Sequence, residues 1–487
     1  MDSRFRGTPP LVSVVPRDDS RVDRGWARRA GWLRLNPDDD ATSASEAQDE
    51  SRLAYGQWRR SLPAVRRGVR QLLRSPTALQ SAGFTGASLL ANVFALIATA
   101  LLTRNLTTRE FGSFSFSVTL LFLVALVFDF GLFSPAARLA ATTDGLKRRE
   151  VVGCALLVYL PVGAAFSATI FALSFVVDSW FHVDASHALR VAALPASAFP
   201  FVLVLQRMAE GTARLHVASV STALAQLLFA AFVALALVAG SITTTSALTL
   251  RSVALLLATG ACAVWLRPIF RAARRWVPEL LRQTREWGLN AYVGRILSIG
   301  TYNMDVLLLA IWTNSRSVGF YSLAGSLATA SGLPIIALAA ALFAPLARQP
   351  TIARRWIVIS ISVGALCALI AWLLAEPVIR IFFSARYLPA AGLVLPLALA
   401  QFVRGVTGIF NTFFSAHGRG RDMRNAALVL TISNLVFNFA LIPPFGARGA
   451  AWASFFALFA NLVAYLAFYR RFLRKPSELP TGARSAS

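Results

Sequence analysis

The chain has 487 residues, of which 56% are hydrophobic and only 15% are charged, and its mean hydropathy is +0.59. This composition excludes an ordinary soluble globular protein, in which about a quarter of the residues are charged. A net charge of +25 would suggest a nucleic-acid partner for a soluble protein. Because the arginines lie in the tails and between long apolar segments, the sequence instead predicts a membrane protein whose basic side chains meet anionic lipid headgroups, with no nucleic acid bound.

The first 80 residues are polar and arginine-rich and hold no apolar segment typical of a signal peptide. We expect residues 1–56 to form a disordered cytoplasmic extension, since they have too few apolar side chains to offset the entropy of ordering. Residues 57–80 place apolar side chains at helical spacing opposite arginines, which predicts a basic amphipathic helix on the membrane surface. A solvated basic linker stays open as the alternative, because Pro63 and Gly68 interrupt the pattern.

Twelve apolar segments follow, each long enough to cross a hydrocarbon core about 30 Å thick. They are predicted at residues 84–103, 114–136, 151–177, 191–208, 217–239, 248–266, 289–312, 320–343, 356–375, 390–412, 425–442 and 447–469. The connections on one side carry more than twice as many arginines and lysines as those on the other. The positive-inside rule therefore places both termini in the cytoplasm, including a tail at 473–487.

An internal repeat divides the spans six and six. TTREFGSFSFS at 107–117 aligns with NSRSVGFYSLA at 314–324, and the longest basic connection lies between the two sets of spans. Six spans per half make the halves enter the membrane in the same sense. The sequence thus predicts an all-α polytopic membrane protein with two six-helix lobes, 81–275 and 276–472, around a central cavity.

Polar residues inside apolar spans are the candidates for function, because a charge there costs about 2.5 kcal/mol or more and usually faces a cavity or a partner. The candidates are Asp129, Gln226, Arg295, Asn303, Asp305, Gln401, Arg404, Asn411, Asn434 and Asn438.

We predict that Arg295 and Arg404 make the cavity cationic, which suits a substrate carrying phosphate or carboxylate. Asn303, Gln401 and Asn411 are predicted to bind the same substrate through hydrogen bonds. The alternative is that the acidic residues pair with these arginines structurally and bind nothing.

Asp129, Asp305 and Arg104 are assigned to gating or coupling. No cofactor is predicted, and coupling to protons, to sodium ions or to the membrane potential stays open. The sequence holds no metal-ligand spacing, no nucleophile with a base and no phosphate-binding loop. Because no predicted loop exceeds about 25 residues, nothing outside the bilayer could house such chemistry, and we expect no enzymatic activity.

The segment SLLANVFALIATALLTRNLTTREFGSFSFSVTLLFLVALVFDFGLFSPAAR resembles the opening of the bacterial polysaccharide flippases, a family of the multidrug, oligosaccharidyl-lipid and polysaccharide exporter superfamily. The resemblance rests on Arg104 at the end of the first span, on Glu110 and Gly112 in the turn that follows, and on Asp129-x-Gly131-Leu132 at the end of the second. In span number and loop lengths it extends from residue 80 to about residue 472.

This resemblance implies a V-shaped molecule in the bacterial cytoplasmic membrane. Such a protein moves a polyprenyl-pyrophosphate-linked oligosaccharide between leaflets by alternating access, for cell-surface polysaccharide synthesis. A polysaccharide polymerase and glycosyltransferases stay open as partners. The resemblance also places Asp129 near the cytoplasmic end of the second span, close to the basic loop with Arg138 and Lys147, where interhelical pairing would pin an inner gate.

Two other functions stay open at this point. One is a cation-coupled multidrug extruder of the same superfamily, although such a protein would be expected to concentrate carboxylates in its spans. The other is a non-transporting scaffold of a polysaccharide assembly complex.

Overall fold

The computed structural model describes residues 76–271, 273–289, 292, 295–296 and 301–474. The predicted extension at 1–56, most of the amphipathic segment and the tail from residue 475 lie outside the described residues. Helix α1 begins at Pro76, so the last residues of the predicted 57–80 segment belong to the helix whose later part, Gly86–Asn105, is the first candidate span.

Within the described residues every regular element is helical. The α-helices are α1 (Pro76–Asn105), α2 (Thr108–Val127), α3 (Phe133–Thr142), α4 (Gly145–Leu173), α5 (Val177–Trp180), α6 (Ser186–Ala192), α7 (Ala198–Gly211), α8 (Leu215–Val238), α9 (Thr244–Trp265), α10 (Val277–Gln283), α11 (Met304–Trp312), α12 (Ser315–Ala341), α13 (Phe343–Ala347), α14 (Arg354–Val378), α15 (Ala391–Ala416) and α16 (Gly420–Arg474). Short 3₁₀ segments cover Pro195–Ser197, Ala273–Trp276, Thr301–Asn303 and Ala385–Ala390, and π-helical turns cover Thr284–Gly288 and Ile379–Phe383.

Nine helices of the described chain are long and apolar enough to cross a membrane, and a bent pair makes up to ten. The bent pair joins α6 to Pro195–Gly211 at 78° and corresponds to the predicted fourth span. The predicted seventh span is described only in part, with α11 as its last section. The count of twelve is therefore consistent with the fold.

Helix α16 contains the predicted eleventh and twelfth spans. It breaks at Gly446, whose φ of 56° and ψ of −131° are not helical. The amide of Asn461 donates to the carbonyl oxygen of Ala426 at 2.7 Å, and the backbone of Gly449 lies against that of Leu441. These contacts pair residues at similar distances before and after the break, so the two limbs of α16 run antiparallel as a hairpin.

The predicted second span ends earlier than expected. Instead of continuing to residue 136, α2 stops at Val127, and α3 starts only at Phe133. Between them, Phe130 has a φ of 45° and Gly131 a φ of 69°, left-handed values that an α-helix cannot contain. Asp129 therefore lies in a turn rather than inside a helix.

The two repeated segments begin their helices in the same way. Thr107 caps α2, with its hydroxyl accepting from the backbone of Glu110 at 3.2 Å and the Glu110 carboxylate accepting from the backbone of Thr107 at 2.8 Å. At the aligned position before α12, the Asn314 side chain accepts from the backbone of Ser317 at 3.0 Å.

The repeated segments also pack against each other. A Cβ atom added to Gly112 would collide with the carbonyl oxygen of Ser315, and one added to Gly319 would lie 2.7 Å from the carbonyl oxygen of Thr108. Thr108 aligns with Ser315, and Gly112 aligns with Gly319. Each contact therefore has its mirror in the other half, as a two-fold relation between the repeats requires. The lobe boundary at residues 275 and 276 stays a prediction.

Candidate substrate cavity and the contacts that close it

A cavity of about 660 Å³ lies between α1 of the first half and helices α11, α12, α15 and α16 of the second. Amide and hydroxyl groups supply most of its polar lining. They belong to Asn92, Thr99, Thr301, Asn303, Tyr321, Ser322, Ser326, Thr329, Gln401, Asn434 and Ser454. Among the described lining residues, Asp305 and Arg404 bring the two charges.

Asp305 is a buried carboxylate held by hydroxyl groups. The Tyr321 hydroxyl donates a short hydrogen bond to its Oδ2, and the Ser454 hydroxyl donates to the same oxygen at 2.9 Å. Its other oxygen, Oδ1, is buried and has no hydrogen-bond partner within the described residues. Among the described residues Asp305 forms no ion pair with an arginine, in contrast to the structural pairing that the sequence left open.

A second chamber of about 720 Å³ adjoins the first inside the C-terminal half. Arg404, Leu430 and Leu458 line both chambers, so the Arg404 side chain stands at their junction. Arg424 adds a further positive charge, and no described residue that lines this chamber is acidic.

The structure brings most of the predicted substrate-binding residues to these two chambers. Asn303, Gln401 and Arg404 line the first, and Asn411 lines the second together with Arg404. The Gln401 Oε1 atom is buried and has no hydrogen-bond partner in the described chain.

The remaining amides of the candidate set have protein partners. Asn438 is buried and donates to the Oδ1 atom of Asn434 at 3.0 Å. Gln226 lies away from both chambers and accepts from Arg251 at 3.0 Å.

Arg295 is placed elsewhere than the sequence predicts. Its Nη1 atom lies 3.1 Å from Oδ2 of Asp129, and the two side chains are 12% and 2% exposed. The ion-pair partner that the structure gives Asp129 is Arg295, which belongs to the predicted seventh span. For Asp129 the structure therefore shows the structural pairing that the sequence left open.

Close backbone packing surrounds this ion pair. A Cβ atom on Gly131 would lie 2.6 Å from the carbonyl oxygen of Gly288, and the reciprocal distance is also 2.6 Å. The Tyr292 hydroxyl donates to the carbonyl oxygen of Val127 at 2.7 Å. We call these contacts of the end of α2 with Gly288, Tyr292 and Arg295 the Asp129 contact.

A different set of contacts joins the halves at the other end of α2. Arg104, at the end of α1, donates through Nε to the carbonyl oxygen of Phe382 at 3.0 Å and through Nη2 to that of Ile381. The Tyr387 hydroxyl donates to the carbonyl oxygen of Thr107 at 3.2 Å. Together with the glycine packing of Gly112, these form what we call the Gly112 contact.

Several cavity residues were missed by the sequence reasoning. Tyr321 aligns with Phe114 in the repeat, so its hydroxyl is present in only one half. That difference between the halves could have indicated a functional residue. Asn92 and Thr99 are seven residues apart, which places them on one face of α1. Arg424 lies just outside the predicted span 425–442, and no sequence pattern links Ser454 to Asp305.

The helical fold of two halves with a polar cavity between them is also found in solved structures of membrane transporters. One is the lipid II flippase MurJ in an inward closed conformation, with a TM-score of 0.64, 12% identity, and coverage of 80% of this chain and 87% of MurJ. Another is a multidrug resistance MATE family transporter of the MOP superfamily in an inward-facing conformation, with a TM-score of 0.65, 16% identity, and coverage of 81% and 96%.

A MOP superfamily transporter from Pyrococcus furiosus is similar as well, with a TM-score of 0.55 and 15% identity over 83% of this chain and 98% of that protein. Identities this low show the shared fold alone. None of the curated proteins compared with the sequence matches it. Residues 79–349, more than half of the chain, match the family model described as "Polysaccharide biosynthesis protein". The chain belongs to this family, which confirms the family predicted from the sequence.

Proposed function

We propose that the protein moves a polyprenyl-pyrophosphate-linked oligosaccharide across the bacterial cytoplasmic membrane for the synthesis of a cell-surface polysaccharide. One observation carries the proposal: two adjoining chambers rich in amide and hydroxyl groups meet at Arg404. Family membership and the likeness to a lipid II flippase support it.

The chambers have the chemistry that a sugar phosphate needs. Amides and hydroxyls both donate and accept hydrogen bonds, as sugar hydroxyls do. Arginine binds phosphate oxygens through two parallel N–H groups, and Arg404 and Arg424 outnumber the single acid of the described lining, Asp305. Volumes of about 660 and 720 Å³ lie in the usual range of roughly 300–1,000 Å³ for ligand sites.

Transport by alternating access would use the two contacts at the ends of α2 as gates. Release of the Asp129 contact would open the cavity toward the arginine-rich side, which the positive-inside rule assigns to the cytoplasm. Release of the Gly112 contact, which includes the Arg104 hydrogen bonds, would open the cavity toward the opposite side of the membrane. Substrate would move outward when the two contacts break in turn.

Asp305 is proposed as the coupling residue. Its buried Oδ1 atom has no hydrogen-bond partner in the described chain, and the carboxylate lines the cavity. Such a carboxylate can bind a proton, or a sodium ion that gives up part of its hydration shell. Under this proposal Asp305→Asn retains substrate binding but no longer responds to an imposed ion gradient.

A cation-coupled multidrug extruder is the second candidate, and Asp305 is the observation that favours it. A carboxylate inside the cavity attracts organic cations, and transporters of the multidrug type share the fold. Binding of a fluorescent organic cation to purified wild-type protein, lost in Asp305→Asn, would favour this function.

The test of the proposal uses inverted membrane vesicles from cells that lack the protein. Complementation with wild type should release lipid-linked oligosaccharide from the cytoplasmic leaflet, and Arg404→Ala should not. Arg316→Ala is the matched control, because Arg316 is exposed at the start of α12 and lines neither chamber. Unchanged sidedness of the intermediate in every strain would rule out the flippase function.

A further inference from the structure

A separate cationic pocket lies on the arginine-rich face of the first half. It has a volume of about 380 Å³ and forms where α4 begins, where α7 connects to α8 and where α9 ends. Four arginines line it: Arg148, Arg149, Arg214 and Arg267. No described lining residue is acidic. We call it the arginine pocket.

Backbone carbonyls hold two of these guanidinium groups in place. Arg149 donates through Nε to the carbonyl oxygen of Arg267 at 2.8 Å, and Arg214 donates through Nη1 to that of Trp265 at 3.1 Å. A carbonyl orients a guanidinium without neutralising its charge, and several N–H donors stay available on each group.

Carboxylates compensate only part of the positive charge. Asp144 pairs with Arg148 at 2.6 Å, and the nearby Glu150 is engaged by Arg275 at 2.6 Å, outside the pocket. Within the described chain Arg149, Arg214 and Arg267 have no ion pair. Like charges that converge from three connections repel one another unless an anion lies between them.

The backbone around the pocket is strained. Ala213 has a φ of 56° and Arg267 a φ of 53°, left-handed values that are unfavourable for residues with a Cβ atom, and Gly145 has a φ of 55°. Strained residues of this kind cluster at ligand sites, where the surrounding structure holds them in place.

The pocket is also partly apolar. Leu146, Val152 and Leu266 line it beside the arginines. Leu146 is 65% exposed, and Trp265, which precedes the lining residue Leu266 in the chain, is 52% exposed. Exposed leucine and tryptophan next to arginine are typical of the interface between headgroups and hydrocarbon. The ligand that fits this lining has an anionic group joined to an apolar one.

We propose that the arginine pocket binds the phosphate of an anionic phospholipid from the leaflet on the arginine-rich face. Arg149, Arg214 and Arg267 contact the phosphate oxygens, and Leu146, Val152 and Leu266 contact the glycerol and the first methylene groups. Basic pockets on the cytoplasmic side of membrane proteins bind such headgroups. This site does not depend on the proposed transport function, since it lies outside both chambers.

Binding there would fix the start of the connection between the two halves. The backbone N–H of Ile269 donates to the carbonyl oxygen of Arg149 at 3.0 Å, so α4 and the connection already touch beside the pocket. A phosphate that bridges Arg149 and Arg267 would close this contact from the membrane side.

The test measures lipid binding by the purified full-length chain, with native mass spectrometry and titration of phosphatidylglycerol or phosphatidylcholine. Wild type should retain one phosphatidylglycerol more than Arg214→Gln/Arg267→Gln, whose affinity should fall about tenfold, which is about 1.4 kcal/mol. Arg470→Gln/Arg471→Gln is the control, since it removes two exposed arginines from the same face at the end of α16. If the double variant does not fold, the affinity for phosphatidylglycerol is measured with the single variant Arg214→Gln instead.

Two results would overturn the proposal. One is equal phosphatidylglycerol binding by wild type and pocket variants. The other is competition by glycerol 3-phosphate at the concentration at which phosphatidylglycerol binds, because the site would then take a soluble phosphate and not a lipid.

Discussion

Both ends of α2 pack against the C-terminal half through close glycine contacts. The two ends differ in the charged groups that take part. Both use glycines that allow backbones to touch, Gly112 with Gly319 at one end and Gly131 with Gly288 at the other. The Asp129 contact adds a buried ion pair, whereas the Gly112 contact, in the part of the chain that the structure describes, has no buried ion pair and uses the exposed Arg104. A glycine contact sets how closely the halves approach, and the ion pair makes one end sensitive to charge.

The difference matters because burying an ion pair costs free energy of desolvation. Leaving one of the two charges buried without its partner costs still more. Desolvation of both charges offsets much of their attraction, and the Oδ1 atom of Asp129 is buried with no hydrogen bond in the described chain. When the contact opens fully, water can solvate both groups. The pair is therefore suited to specify one closed geometry, and its net contribution to stability is small.

The largest effect is expected from Asp129→Asn. Removal of one charge of a buried pair costs about 3–5 kcal/mol, because the guanidinium stays buried after this carboxylate is lost. The melting temperature of the purified protein should fall by several degrees, and transport should be lost. Asp129→Asn/Arg295→Gln, which removes both charges, should recover part of the stability. Wild-type protein level and wild-type transport in Asp129→Asn would contradict this role.

Gly112→Ala should destabilise the protein less than Asp129→Asn does, and its effect should be confined to the Gly112 contact at the other end of α2. The added Cβ would collide with the Ser315 carbonyl oxygen, and overpacking of this kind costs about 1–3 kcal/mol. The buried Ser113, replaced by cysteine in a background without the three native cysteines, should then react faster with a thiol reagent. Gly260→Ala is the control, since nothing lies within 4 Å of the added atom. Equal labelling in both variants would argue against a gate at Gly112.

Arg104→Gln should lower the melting temperature least of the three variants. It removes two hydrogen bonds from an exposed guanidinium to the carbonyl oxygens of Ile381 and Phe382, which together contribute about 1–2 kcal/mol. Arg109→Gln is the comparison, because its ion pair with Asp184 joins side chains that are 68% and 64% exposed and contributes about 0–1 kcal/mol. A larger loss of melting temperature in Arg109→Gln than in Arg104→Gln would reverse this order.

The repeat was the most informative feature of the sequence. Alignment of Gly112 with Gly319 anticipated a relation between the halves, and the structure shows these glycines packed against each other. Hydropathy could not reveal the turn at Asp129, because the apolar residues continue through residues 130–133 while the backbone leaves the helical conformation. The sequence also could not choose a partner for Arg295, since Asp129 lies 166 residues away and the pairing depends on tertiary packing, including the close contact of Gly131 with Gly288.

The hairpin of α16 affects how the protein enters the membrane. Its two limbs meet at Gly446 without a loop, and Asn461 of the second limb hydrogen-bonds the backbone of the first at Ala426. A limb inserted alone would expose Asn434 and Asn438, or Asn461, to lipid at a cost in free energy. We therefore expect the two limbs to integrate into the membrane as a pair, with the first limb held until the second has been synthesised.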